Sequence, residues 1–167
     1  MLVDASHEDD VHGVPPMARY VPVLSTLGVL RFRRVSFGQR VEFLPPSVQP
    51  LARATRFTTA AYKATADEII HVEQSAEEAR SSRLILAAPV LVITGARGAD
   101  EKWHGFQQDL ASLSEQGCLI VAQQSSHVVA VDQQQIVVDA IRTVVETARD
   151  HSVPLCAAPT ASATHDR

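Results

Sequence analysis

The stretch that decides the fold is LIVAQQSSHVVAVDQQQIVVDAIRTVV, Leu119 to Val145. Leu119, Ile120, Val121 and Ala122 form an apolar run with no face reserved for water, which predicts a buried strand of a parallel sheet. His127 then falls just beyond the strand's C-terminal end, the edge at which open α/β sheets gather their chemistry. On position alone, a loop histidine with no special role fits equally well. Downstream, Asp132 is placed to cap a helix, with Gln135 three residues on to complete a capping pair. Ile136, Ala140, Ile141, Val144 and Ala148 give that helix one apolar stripe.

Toward the N-terminus the same logic repeats. PVLVITG, residues 89–95, is a second continuous apolar run, closed by Gly95, and reads as another buried parallel strand. After it, Trp103, Phe106, Leu110 and Leu113 recur at helical spacing, and Gly117 supplies a helix stop. Trp103 and Phe106 are most simply core residues of that helix. MLVD at the start looks like the end of a third buried strand. Between about residues 8 and 84 the pattern turns helical and is broken by Pro15, Pro16, Pro45, Pro46 and Pro50, which predicts a helical cap inserted between strands. Within it, Met17, Val21, Leu24, Leu27 and Leu30 suggest one helical face, and residues 58–83 a longer helix. From residue 151 the composition collapses to HSVPLCAAPTASATHDR, an expected disordered tail. The fold class is therefore α/β, with residues 1–150 forming a partial fold of parallel strands with a helical cap insertion.

Composition narrows the function classes. A chain of 167 residues, 46% apolar and 20% charged, suits one ordinary globular domain. Its net charge of -4 argues against nucleic acid as the main partner, because phosphate binding needs clustered Lys and Arg. The basic cluster Arg31, Arg33, Arg34 and Arg40 reads as a solvated helix end or loop. Two cysteines, Cys118 and Cys156, do not make a disulfide framework, so a reducing, cytoplasmic setting is expected. No run is long and apolar enough to span a bilayer, and the N-terminus has no signal-like pattern. HEDDVH, residues 7–12, offers metal-binding residue types, but its spacing matches no helical histidine pair. No metal and no cofactor are expected.

The order strand end, helical insertion, strand, helix, strand, histidine, helix resembles the C-terminal part of an α/β-hydrolase. The matching residues are MLVDASHEDD for the family's sixth strand and following turn, PVLVITG for the seventh strand, CLIVAQQSSHVV for the eighth strand with its histidine, and DQQQIVVDAIRTVV for the closing helix. By that resemblance His127 is the catalytic base, and a carboxylate should fix its tautomer and stabilise its charged form. The resemblance offers two acids. Asp4 ends the sixth-strand segment, and Asp100 follows Gly95, two residues later than the family's usual turn. Asp4 is preferred. The alternative roles are a turn residue for Asp4 and a helix N-cap for Asp100.

The resemblance also implies a nucleophile in G-x-S-x-G, a strained turn between strand and helix. No two of the 7 glycines bracket a serine, cysteine or aspartate in that way. Ser125 and Ser126 adjoin the histidine and are better placed to satisfy backbone groups than to be deprotonated by their neighbour. The chain thus reads as an esterase-like or epoxide-hydrolase-like fragment, inactive alone, that carries acid, base and lid. The alternative is a non-catalytic remnant or a binding protein that uses its cap. The implied substrate is a small apolar ester or epoxide, which Tyr20, Tyr62 and Phe32 of the cap could meet. The oligomeric state is not readable.

Overall fold

The computed structural model describes residues 1–33 and 41–156. The chain divides into two compact units, one formed by Met1–His7 and the chain from Arg83 onward, the other by Glu8–Ser82.

The discontinuous unit is built on a parallel sheet of three strands, β1 (Leu2–Val3), β2 (Leu91–Gly95) and β3 (Cys118–Ala122), in the order β1-β2-β3. Leu2 pairs with Val92, and Leu91 to Gly95 pair in register with Cys118 to Ala122. The central strand β2 is buried along its whole length, as its unbroken apolar run predicts. Because strand side chains alternate between faces, the run serves two cores at once. Leu91 and Ile93 pack with Ile136, Val137, Ala140 and Val144 of α7 (Gln134–Arg149). Val90 and Val92 pack with Leu110 and Ala111 of α5 (Glu101–Ala111). The architecture is α/β, with α5 on one face of the sheet and α7 on the other.

Four expectations for this unit need correction. β3 is not fully buried: Leu119, Ile120 and Val121 are half-buried, because this strand has a neighbour on one side only. Asp132 does not cap α7. It ends a short helix, α6 (Val129–Asp132), and its carboxylate turns back onto the preceding loop, leaving α7 without a side-chain cap. The stripe of α7 runs through Ile136, Val137, Ala140, Val144 and Thr147, whereas Ile141 and Ala148 are exposed. The fourth concerns the tail. Leu155 is buried in the α7-side core, and Cys156 forms a disulfide with Cys118 at a Cα–Cα distance of 5.6 Å. The segment to Cys156 is thus ordered, and both cysteines are paired; the tail from residue 157 lies outside the described residues.

The second unit is helical. A 3-10 turn (Pro16–Tyr20) leads into α1 (Val21–Thr26) and α2 (Val29–Phe32); a further 3-10 turn (Val41–Phe43) precedes α3 (Gln49–Arg56) and α4 (Thr59–Ser81). Gly28, at φ 75°, splits the predicted single helix between α1 and α2, since only glycine takes that left-handed conformation without cost. Met17 and Leu27 face solvent, while Val21, Leu24 and Leu30 pack with Tyr62 and Ala66 of α4. α4 matches its predicted span, and Thr58 caps it by accepting from the Ala61 amide at 3.1 Å. Near its end Arg80 holds the Asp9 carboxylate at 2.9 Å and the Glu8 carbonyl at 2.8 Å, so both ends of this unit meet. Arg31 and Arg33 are exposed, as a solvated cluster requires; Arg34 and Arg40 lie outside the described residues. No helix among the described residues is long and apolar enough to cross a membrane.

Candidate active site

Asp4 follows β1 directly, and its amide extends the strand pairing by donating to the Ile93 carbonyl at 2.6 Å. Its φ of 44° is left-handed, the one such non-glycine residue among those described. That conformation tucks the carboxylate under the C-terminal ends of the strands, where the residue is 5% exposed. Buried carboxylates need donors on both oxygens. Oδ1 accepts from the Thr94 hydroxyl at 2.7 Å, the Trp103 indole N–H at 3.0 Å and the Gly95 amide at 3.3 Å. Oδ2 faces His127 Nδ1 at 2.6 Å.

An ionised carboxylate only accepts, so the proton of a neutral imidazole is held on Nδ1 and the lone pair is left on Nε2. The His127 side chain is 72% exposed, against 3% for that of Asp4. A buried carboxylate thus orients an accessible imidazole.

The histidine loop is fixed from below and from behind. Below it, Gly95 is required by close approach, because a Cβ there would lie 2.1 Å from the Ser126 carbonyl oxygen. The Arg97 amide donates to the Ser125 carbonyl at 2.8 Å, joining the loop to the turn after β2. Behind it, the Asp132 carboxylate accepts from the Ser126 amide at 2.9 Å and the Ser126 hydroxyl at 2.8 Å. These donors, with the Ser125 hydroxyl and the nearby Arg97 charge, hold the Asp132 carboxyl below the ordinary carboxylate range. Ser125 and Ser126 are committed to these loop contacts.

Of the two candidate acids, Asp4 is the one bonded to His127. Asp100 takes its alternative role as N-cap of α5, accepting from the Trp103 amide at 2.7 Å. Trp103 is not a plain core residue, since its indole reaches the acid and its ring lies edge-on to His127 at 6.1 Å. Neither that contact nor the Thr94 hydroxyl was visible in helical or strand spacing. One signal was available: a tryptophan on the first turn of a helix that leaves the histidine's sheet edge needs a partner for its N–H.

His7 is buried, stacks on Phe106 at 4.4 Å and contacts Asp109 at 2.7 Å through Nε2. Arg83 also bonds Asp109. In the helical unit Tyr62 is a core residue donating to the Leu30 carbonyl at 3.1 Å, and burial pushes its hydroxyl pKa up. Its side chain is buried, whereas Tyr20 and Phe32 are exposed. Comparison with protein-family profiles, curated proteins and solved structures found no match.

Proposed function

We propose that the chain supplies the acid and base of an α/β-hydrolase-like enzyme acting on a small apolar ester or epoxide. The observation that carries this reading is the Asp4–His127 contact, a buried carboxylate on an accessible imidazole at the C-terminal ends of parallel strands. His127 Nε2 would take the proton of a nucleophilic hydroxyl, or of water attacking a covalent intermediate, while Asp4 stabilises the imidazolium and keeps the tautomer productive. Asp100 has no part in it. Neither a metal nor a cofactor is invoked, and the acidic balance keeps nucleic acid out of the proposed partners.

One observation favours the second reading, a binding protein without turnover. The sequence contains no G-x-S-x-G, and both cysteines are held in the disulfide, so neither offers a thiol nucleophile. The bridge also favours an oxidising compartment over the cytoplasm; mass analysis of protein from its native cells under non-reducing conditions decides this.

The test is to express the chain with any coding sequence that lies in frame ahead of Met1 and to screen short-chain aryl esters and epoxides. His127→Ala should abolish turnover. Asp4→Asn should cost roughly four orders of magnitude in kcat by leaving the wrong tautomer, a figure taken from the serine-protease triad, and Asp100→Asn should stay near wild type. Equal loss in the two aspartate variants would contradict the assignment, and hydrolysis unaffected by His127→Ala would remove the reading altogether.

A further inference from the structure

We infer that α5 is a clamp on the acid, and that Trp103 is a positioning residue for the Asp4–His127 pair. The inference rests on the reading of that pair as acid and base. Asp4 sits in a left-handed backbone conformation, uncommon outside glycine though best tolerated by Asp and Asn, so its contacts matter for holding it. Two side chains of α5, one turn apart, grip this turn. The Trp103 N–H donates to Asp4 Oδ1 at 3.0 Å, with the Thr94 hydroxyl oxygen also near at 3.2 Å. The Gln107 amide nitrogen donates to the Ala5 carbonyl at 2.7 Å, and Gln107 is wholly buried. Residues at i and i+4 share one helix face, so one rigid element fixes both the carboxylate and the peptide beside it.

The geometry gives the clamp a specific task. A carboxylate pivoting about its Cβ–Cγ bond could offer either oxygen to His127. Donors on Oδ1 from Trp103, Thr94 and Gly95 remove that freedom and leave Oδ2 for Nδ1. The edge-on indole also bounds one side of the imidazole. Trp103 thus acts on the base through the acid.

The test uses the full chain labelled with 15N and follows the tautomer of neutral His127. In the wild type the Nδ1-protonated form should dominate. Trp103→Phe keeps an aromatic ring and removes the donor; it should lower that form at least about twofold, toward the mixture of a free imidazole. Phe106→Leu, which disturbs the same helix at its contact with His7, should leave the tautomer unchanged. An unmoved tautomer in Trp103→Phe overturns the inference, as does an equal shift in Phe106→Leu.

A second measurement needs no variant, because the chain has 1 tryptophan and a single indole N–H. Its exchange with solvent should be about tenfold or more slower in the folded protein than in urea. Equal exchange in the two conditions overturns the inference even if Trp103→Phe fails to fold. Neither readout requires turnover. A chain that hydrolyses nothing leaves the clamp standing, and an unclamped imidazole leaves the acid–base assignment of Asp4 and His127 to its own test.

Discussion

Two residues at the ends of neighbouring strands decide whether the histidine loop can exist. Asp4 accepts a left-handed backbone costing about 1–3 kcal/mol, and the donors around its carboxylate offset that cost. Gly95 allows the loop to lie against the strand end, with the Ser126 carbonyl where a side chain would otherwise stand. Gly95→Ala must therefore push Ser126 and His127 away from Asp4. The expected result is a loss of about 1–3 kcal/mol in urea unfolding, together with loss of the Nδ1-protonated preference at His127. A variant that keeps both would mean the loop does not sit on β2. Asp4 was legible as a strand-end residue, but its partner lies 123 positions away, and no local spacing distinguishes it from Asp100. Asp100 sits before a helix and resolves as a cap for an entirely local reason, an amide three residues on.

At the level of elements, the strands were the most legible part, because a parallel strand packed on both faces must be apolar throughout. Helices in the insertion were less so. The left-handed Gly28 breaks a periodicity that otherwise reads as continuous, and Asp132 satisfies amides behind it in place of those ahead. The disulfide was not legible at all, since pairing depends on where a low-complexity tail returns. That bridge ties the start of β3 to the segment after α7 across 38 residues, a span that encloses the histidine loop and both of the following helices. Closing such a loop removes about 4 kcal/mol of unfolded-state entropy on the chain-entropy estimate. Cys156→Ser should therefore lower unfolding stability by about 2–4 kcal/mol, and added reductant should lower wild-type Tm while leaving the variant's unchanged. A wild-type melt insensitive to reductant would show that β3 and α7 are held by the Leu155 core alone.

For the whole molecule, the governing fact is that the unit with the candidate site is made from two pieces of chain. Its short piece ends at His7 and its long piece begins at Arg83, with Glu8–Ser82 forming the other unit. Both ends converge on one carboxylate: Asp109 of α5 meets His7 Nε2 at 2.7 Å and also bonds Arg83. The His7 hydrogen bond, and then Arg83, hold the Asp109 carboxyl below its ordinary value of 3.8. A carboxyl whose folded pKa is depressed contributes stability that is fully present above its unfolded value and is lost as pH falls through the folded one. Asp109 is 45% exposed, so solvent screens part of the effect. Asp109→Asn should reduce stability most above about pH 5, and the gap to wild type should close as pH falls below about 4. Urea unfolding of both proteins at a series of pH values measures this. A gap that stays constant into acid would assign the loss to the packing of α5. A closing gap would mean that charge at Asp109 draws His7 and Arg83 together, and with them the short strand that carries Asp4.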